Sequence, residues 1–556
     1  MDGDTLSRPT VQPSCQLSPD VDPHRGQLAG CPPAVDAELL RQALLDLTQP
    51  FAVDLRTGAV LASSSPIDGN GSLAHVPACR LEHLGDPAFC TDHKLRYAYL
   101  AGAMANGIGS ADIVEAMGRA GMLAFFGAAG LSLRTIEAAI DRITASLSQT
   151  PFGFNLIHTP NEPDHESAVV DLYLRRGVRL VEASAYLDLT LPVVRYAIHG
   201  IHRAGTGRIV TPNRVIAKVS RVEVASKFFA PPPAAMLRTL VGQGVITAEQ
   251  ADLASHVPVA QDLTAEADSA GHTDNRPLVA LLPTMLALRD RMQAKHGYSQ
   301  PLRVGAAGGI STPASAAAAF AMGAAYILTG SVNQACVESG SSDAVRQMLA
   351  EAEQADVIMA PAADMFEMGV KVQVLKRGTM FAMRAAKLFE VFRTRESLEN
   401  IPPADRSVLE KTIFRMSIDE VWNQTREFWQ KRDPGQLTRA ERDGRHKMAL
   451  VFRWYLGLSS RWANAGEPSR KVDYQVWCGP AMGAFNEWVR GSCLEQPANR
   501  RVVTVALNIL YGAAVCLRAS TLRCQGIRIP AAALHFAPRE AHELADRSTR
   551  SQRTDA

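Results

Sequence analysis

Two glycine turns near the middle of the chain limit its fold most tightly. Gly305-Ala-Ala-Gly-Gly-Ile-Ser-Thr-Pro313 and Tyr326-Ile-Leu-Thr-Gly-Ser331 each read as a short apolar strand that breaks into a glycine turn. The first turn opens a helix, with Thr312 as its N-cap and Pro313 at its first position. Two such turns after consecutive strands gather backbone N–H groups and a positive helix end around one point, which suits a phosphate. In a (β/α)8 barrel, the loops after strands seven and eight are the usual seat of a cofactor phosphate. The turns therefore predict a phosphate-cofactor barrel enzyme, provided six earlier strands precede them.

They do. Short apolar runs alternate with amphipathic segments of helix length, the mark of βα units. The pattern predicts strands near 97–103, 122–126, 152–156, 179–183, 215–219, 263–267, 303–306 and 325–328, and helices at 110–119, 132–147 and 278–295. A doubly wound open sheet is the competing layout, and the paired terminal glycine turns favour the barrel. The expected fold is thus α/β, a TIM barrel over residues 97–340. Residues 36–96 precede it as a small β-rich element, with strands around a Thr-Gly turn at 57–58. Residues 341–530 follow as a mostly helical extension, with helices at 407–431 and 445–458 and all six tryptophans. Residues 1–35 read as a disordered leader and 531–556 as a polar tail.

Bulk properties exclude several classes. The 58 basic and 56 acidic residues of this 556-residue chain leave a net charge of +2, so no field argues for nucleic acid or a charged membrane. No apolar run is read as reaching the roughly 18–20 residues that span a bilayer. The start lacks the basic and apolar regions of a secretory signal. The nine cysteines are odd in number and form no CxxC pair, so neither a disulfide framework nor a metal site is expected. A cytoplasmic location follows by default.

Catalytic residues of such a barrel lie at the C-terminal ends of its strands. After the first comes Ala101-Gly-Ala-Met-Ala-Asn-Gly107, whose small residues let a flat ring approach the backbone. Asn155, alone among apolar neighbours in the third strand, needs hydrogen-bond partners, which either a heteroaromatic cofactor or the neighbouring backbone could supply. Lys218, in the fifth, is costly to bury without an anion and is expected to point inward. The sixth runs into Glu266-Ala-Asp-Ser-Ala-Gly-His-Thr-Asp-Asn-Arg-Pro277, which holds the best acid–base candidate, His272. Asp268 or Asp274 could orient its ring; spacing does not choose between them.

Taken together, these residues resemble the flavin mononucleotide barrels of the nitronate monooxygenase superfamily. The strand-six segment is similar to its Glu-x-x-x-Gly-Gly-His pattern, with Gly271 and His272 in place and Ala270 where the first glycine stands. Gly308, Gly309, Gly330 and Ser331 match its phosphate turns; Gly102, Ala103, Met104 and Asn155 match its flavin-ring contacts. A narrower resemblance spans nearly the whole chain. Leu84-Gly-Asp-Pro-Ala-Phe-Cys90, Phe126-Gly-Ala-Ala-Gly130, Asp364-Met-Phe-Glu-Met-Gly369, Gln373-Val-Leu-Lys-Arg-Gly378 and Trp477-Cys-Gly-Pro-Ala-Met-Gly-Ala-Phe-Asn486 resemble the PfaD-type trans-acting enoyl reductases of polyunsaturated fatty acid and trans-acyltransferase polyketide synthases.

The resemblance implies FMN as cofactor and NADPH or NADH as reductant. It also implies an enoyl thioester on an acyl carrier protein as substrate, and a synthase as partner. His272 and Lys218 become the expected catalytic pair: the first as proton donor or enolate partner, the second as an anion stabiliser at the flavin edge. A nitronate monooxygenase-like oxidase and a catalytically silent flavoprotein scaffold are the alternatives. The oligomeric state stays open, with a homodimer as the commonest assembly.

Overall fold

The computed structural model describes residues 35–62 and 73–544. The expected leader up to residue 34 and the end of the tail lie outside these. Eight parallel strands close into a barrel: β1 (Tyr99–Ala101), β2 (Leu123–Phe126), β3 (Gly153–Ile157), β4 (Leu180–Ser184), β5 (Arg214–Val219), β6 (Asp262–Glu266), β7 (Arg303–Ala307) and β8 (Ile327–Thr329). Each lies within a few residues of its expected position. Closure is made by β8 on β1, with Ile327 opposite Tyr99 and Thr329 opposite Ala101.

Local signals set the helices. Ser110 and Ser132 cap Ala111–Arg119 and Leu133–Ser146 by accepting from Ile113 and Thr135 N–H. Thr312 forms a capping box with Ser315, and Pro313 occupies the first turn of Pro313–Ala321, as its sequence requires. Inside the barrel, glycines make room for neighbouring rings. A Cβ at Gly153 would lie 2.3 Å from Phe125, and one at Gly305 would lie 2.1 Å from Tyr326.

The barrel's N-terminal mouth is plugged by the short helix Pro87–His93. Phe89 stacks on Tyr326 with centroids 4.3 Å apart, and His93 Nε2 lies 2.7 Å from Asp262 Oδ2. Arg303 donates from Nε to Asp262 at 2.6 Å and from Nη1 to Asp92 at 2.8 Å. A buried ion group whose members are all paired closes this end, so ligand access falls to the other. The N-terminal element is a three-stranded antiparallel sheet, Val60–Ala62, Phe51–Asp54 and Leu73–Val76, with Gly58 at φ +73 in its expected turn.

The extension, read as mostly helical, differs in three ways from the expectation. First, Val357–Pro361 and Lys371–Leu375 pair as an antiparallel hairpin, Val357 opposite Leu375. Second, the helix expected at 407–431 is broken. A π-helical turn, Leu409–Phe414, ends at Arg415 with φ +60, and Ser417 starts Ile418–Arg432 with a capping box to Glu420. Arg415 is held there by tertiary contacts, 2.6 Å to the Ser469 carbonyl and 3.1 Å to Asp473. Ser417→Ala is expected to lower stability by about 1 kcal/mol. An unchanged urea midpoint would show that the tertiary contacts alone hold the break.

Third, Val502–Cys524 is long and apolar enough to cross a membrane, at a mean hydropathy of 1.8, which corrects the reading that no apolar run reaches that length. It is a core helix here, with 78% of that stretch buried. It packs on Pro313–Ala321, where a Cβ at Gly512 would come within 2.4 Å of Pro313. The hairpin, Phe381–Thr394, Ile418–Arg432 and Gly444–Ala465 share a second apolar core beside that of the barrel.

Candidate active site

At the C-terminal ends of the strands, one cavity of about 520 Å³ is lined by all eleven residues singled out above: Gly102, Ala103, Met104, Asn155, Lys218, Gly271, His272, Gly308, Gly309, Gly330 and Ser331. Its outer wall comes from the extension, including Asp364, Phe428, Trp429, Trp454 and Trp477.

The floor carries three ionisable groups. Lys218 points inward from β5, its side chain 11% exposed, with Nζ 3.4 Å from Glu182 Oε2 and 3.7 Å from Glu266 Oε1. Burial works against its charge, but the two carboxylates outweigh that and hold the ammonium above the ordinary lysine range. Glu182, from β4, is fully buried; desolvation pushes its carboxyl up, with Lys218 pulling the other way. One of its oxygens, Oε2, accepts from the Ala103 N–H at 3.0 Å, while Oε1 has no partner among the described residues. Glu182 was missed in the sequence, although a lone carboxylate inside Leu180–Ser184 carries the same signal that singled out Lys218.

Asn155 donates from Nδ2 to Ser184 Oγ at 2.6 Å and to the Glu182 carbonyl at 3.2 Å. The protein thus orients the amide by its nitrogen, and its oxygen accepts nothing among the described residues. At Gly102 a Cβ would lie 2.5 Å from the Leu328 side chain, which would have to shift to admit it.

The two glycine turns form a cradle. Gly308 and Gly309 take φ +85 and +74, a region that favours glycine. A Cβ at Gly309 or Gly330 would meet nothing within 4 Å, so both face open space. Among the described residues, the N–H groups of Gly309, Ile310 and Gly330 find no acceptor. Ser311 Oγ, in the same turn, is buried without a partner. With the N-terminus of Pro313–Ala321 beside it, this donor set fits a phosphate, and the small-residue wall after β1 fits a flat ring.

His272 lies across the cavity. Its Nε2 is 3.0 Å from Asp364 Oδ1, a residue 92 positions later, between the strands of the hairpin. Neither candidate orienting carboxylate does this. Asp274 is taken by Arg221, two bonds of 2.8 Å, and by Ser220; Asp268 accepts from Asn275 and Gln373. Burial pushes the imidazole down, yet the charge and hydrogen bond of Asp364 outweigh it and hold His272 above its ordinary value. Asp364 in turn is held low by that partner, against its own desolvation. Among the described residues nothing bonds to Nδ1, which leaves it for a ligand.

The turn before it is tight. A Cβ at Gly271 would lie 2.7 Å from Glu266 Oε1, whereas Ala270 keeps an ordinary backbone and lies against Gly479. The alanine therefore fits without strain.

Comparisons with known proteins bear on the family and the fold. A family model described as nitronate monooxygenase matches residues 89–400, and one described as the inserted helical domain of [acyl-carrier-protein] S-malonyltransferase matches residues 395–474. A polyunsaturated fatty acid synthase polypeptide of Thraustochytrium sp. is 47% identical over 88% of this chain. The polyketide biosynthesis protein PksE of Bacillus subtilis is 45% identical over 78% of it. The chain spans only 33% and 57% of these relatives' own lengths. The solved enoyl reductase domain of MlnA, from the macrolactin cluster of Bacillus amyloliquefaciens, is 42% identical with a TM-score of 0.76, and covers 80% of this chain and 100% of that one.

Proposed function

We propose that this chain, which belongs to the PfaD-type enoyl reductases of the flavin-dependent nitronate monooxygenase family, reduces the α,β-double bond of enoyl thioesters held on an acyl carrier protein, with FMN and NADPH or NADH. The reading is carried by one observation: an imidazole raised by its pairing with a half-buried carboxylate faces the same cavity as a phosphate cradle. The family supports the flavin; the choice of FMN, the nicotinamide and the carrier are our own reading. Every cysteine among the described residues is a free thiol, which favours the reducing cytoplasm.

Gly308, Gly309, Gly330 and Ser331 would hold the flavin phosphate, and Gly102, Ala103 and Met104 would flank its ring. Lys218 and Asn155 would meet the polar edge. When bound, the flavin supplies the hydride that adds to the β-carbon of the thioester. This chain's residues then manage the charge that develops. An enolate at the thioester oxygen calls for a positive hydrogen-bond donor, and the α-carbon for a proton. His272 meets both needs at Nδ1, because Asp364 fixes the ring through Nε2 and stabilises the imidazolium. The aromatic wall from the extension keeps water from the nascent anion.

Asp364→Asn removes the charge that raises the histidine. The pH at which thioester reduction falls off is therefore expected to move lower, as the imidazole loses its proton sooner. A pH profile of kcat/KM for both forms checks this, and coincident profiles would dissociate Asp364 from the reaction. Anaerobic stopped-flow absorbance tests the whole reading. Flavin reduced by NADPH should be reoxidised by a crotonyl carrier thioester, with saturated thioester formed. Oxidation of nitroalkanes without a nicotinamide would replace the reading by that of a monooxygenase, and carrier binding without turnover by that of a scaffold.

A further inference from the structure

Three arginines cluster where the cavity opens, and the proposed chemistry uses none of them. Arg432 ends the Ile418–Arg432 helix; Arg453 and Arg461 lie on Gly444–Ala465, and all three line the cavity. Arg432 and Arg461 lie 5.8 and 5.9 Å from the centroid of one ring, Phe428, itself 40% exposed. Arg453 lies 5.6 Å from the Trp429 ring. Two carboxylates serve only two of the three guanidiniums. Glu162 meets Arg432 at 2.5 Å and Arg453 at 4.0 Å, and Glu367 meets Arg453 at 3.4 Å. Arg461 has neither a carboxylate nor a hydrogen-bond partner among the described residues.

One positive charge is therefore in surplus: Arg461 is exposed, with Arg432 near enough to disfavour its charge. Like charges crowded on one ring are unfavourable unless an anion joins them. A guanidinium over an aromatic face can still direct in-plane N–H groups at an anion, and paired guanidiniums grip phosphate. A carboxylate on the acyl chain would need only one such fork.

We propose that Arg432, Arg453 and Arg461 form a subsite for a ligand phosphate at the cavity entrance. Its source is the phosphodiester of a pantetheine arm that carries the thioester, or the 2′-phosphate of the nicotinamide; this choice of ligands rests on the enoyl reductase reading. Deeper in, Arg453 is close enough to lower Asp364 through its charge. The positive run therefore continues from the entrance toward His272.

Trp429 and Trp454 line the same cavity, so their fluorescence reports binding without turnover. The purified holoenzyme would be titrated with pantetheine 4′-phosphate, pantetheine, NADP⁺ and NAD⁺. The phosphorylated member of one pair should bind about ten- to a hundredfold more tightly, the worth of one or two charge-assisted hydrogen bonds. In Arg461→Ala and Arg461→Gln that ratio should collapse toward one. Collapse in the pantetheine pair assigns the site to the carrier arm, and collapse in the dinucleotide pair assigns it to the reductant. Ratios unchanged in both pairs would overturn the subsite. A wild type that prefers the phosphorylated ligand yet reduces no enoyl thioester would leave the subsite standing and remove the enoyl reductase reading.

Discussion

Replacing His272 with alanine is expected to slow reduction of an enoyl thioester by about 10²- to 10⁴-fold, the usual worth of a positioned proton donor. The loss should fall on kcat more than on KM, because the imidazolium is needed by the developing enolate rather than by the resting thioester. It should also be confined to the half of the cycle that consumes the thioester. Rapid-mixing measurement of each half separately checks this. A loss confined to the nicotinamide half would move His272 from the acyl chemistry to the reductant. The sign of the pH dependence agrees with this role. The histidine is raised above its ordinary value, so it keeps its proton to a higher pH than a free imidazole and loses it as pH climbs through the raised value. Its ion pair with Asp364 likewise stabilises the fold most below the ordinary histidine value, and that contribution fades over the same climb.

Lys218→Met should produce the largest change in stability. It removes the cation between Glu182 and Glu266 and leaves two carboxylates, 0% and 6% exposed, facing each other. Removing one partner of a buried pair costs about 3–5 kcal/mol. The cost has a pH signature. Burial already raises Glu182 in the folded protein, and loss of the lysine raises it further. The folded state of the variant then binds more protons than the unfolded chain, so its stability declines as pH rises from the ordinary carboxylate range. Unfolding midpoints for both forms at pH 5.5 and pH 8 would show the gap widening at pH 8. A gap that is constant across pH would mean that Lys218 contributes packing rather than charge.

Strand positions could be read closely from the sequence because period and punctuation both act locally. The turn at Gly308 and Gly309, the cap at Thr312 and the inward Lys218 each follow from chemistry within a few residues. Errors came where distance in space overrode sequence neighbourhood. Asp364 could not be matched to His272 by spacing, since nothing local distinguishes it from Asp268 and Asp274, which lie beside the histidine but are already bound to other groups. The hairpin was lost among helices because Val357–Pro361 and Lys371–Leu375 are short and have strong helices on either side. The break at Arg415 depends on contacts with Ser469 and Asp473, more than fifty residues away, which no periodicity announces. Glu182 is different: the rule that found Lys218 applied to it equally.

The pairing of His272 with Asp364 bears on what can be transplanted. The histidine comes from the loop after a barrel strand and its carboxylate from a separately cored lobe. Grafting the strand-six motif onto another eight-stranded scaffold would carry over the imidazole but not its proton affinity. Such a chimera would run its reaction at a more acidic optimum than the parent, however faithfully the donor loop was copied. The smallest heritable unit of this acid is the barrel together with the hairpin beyond it.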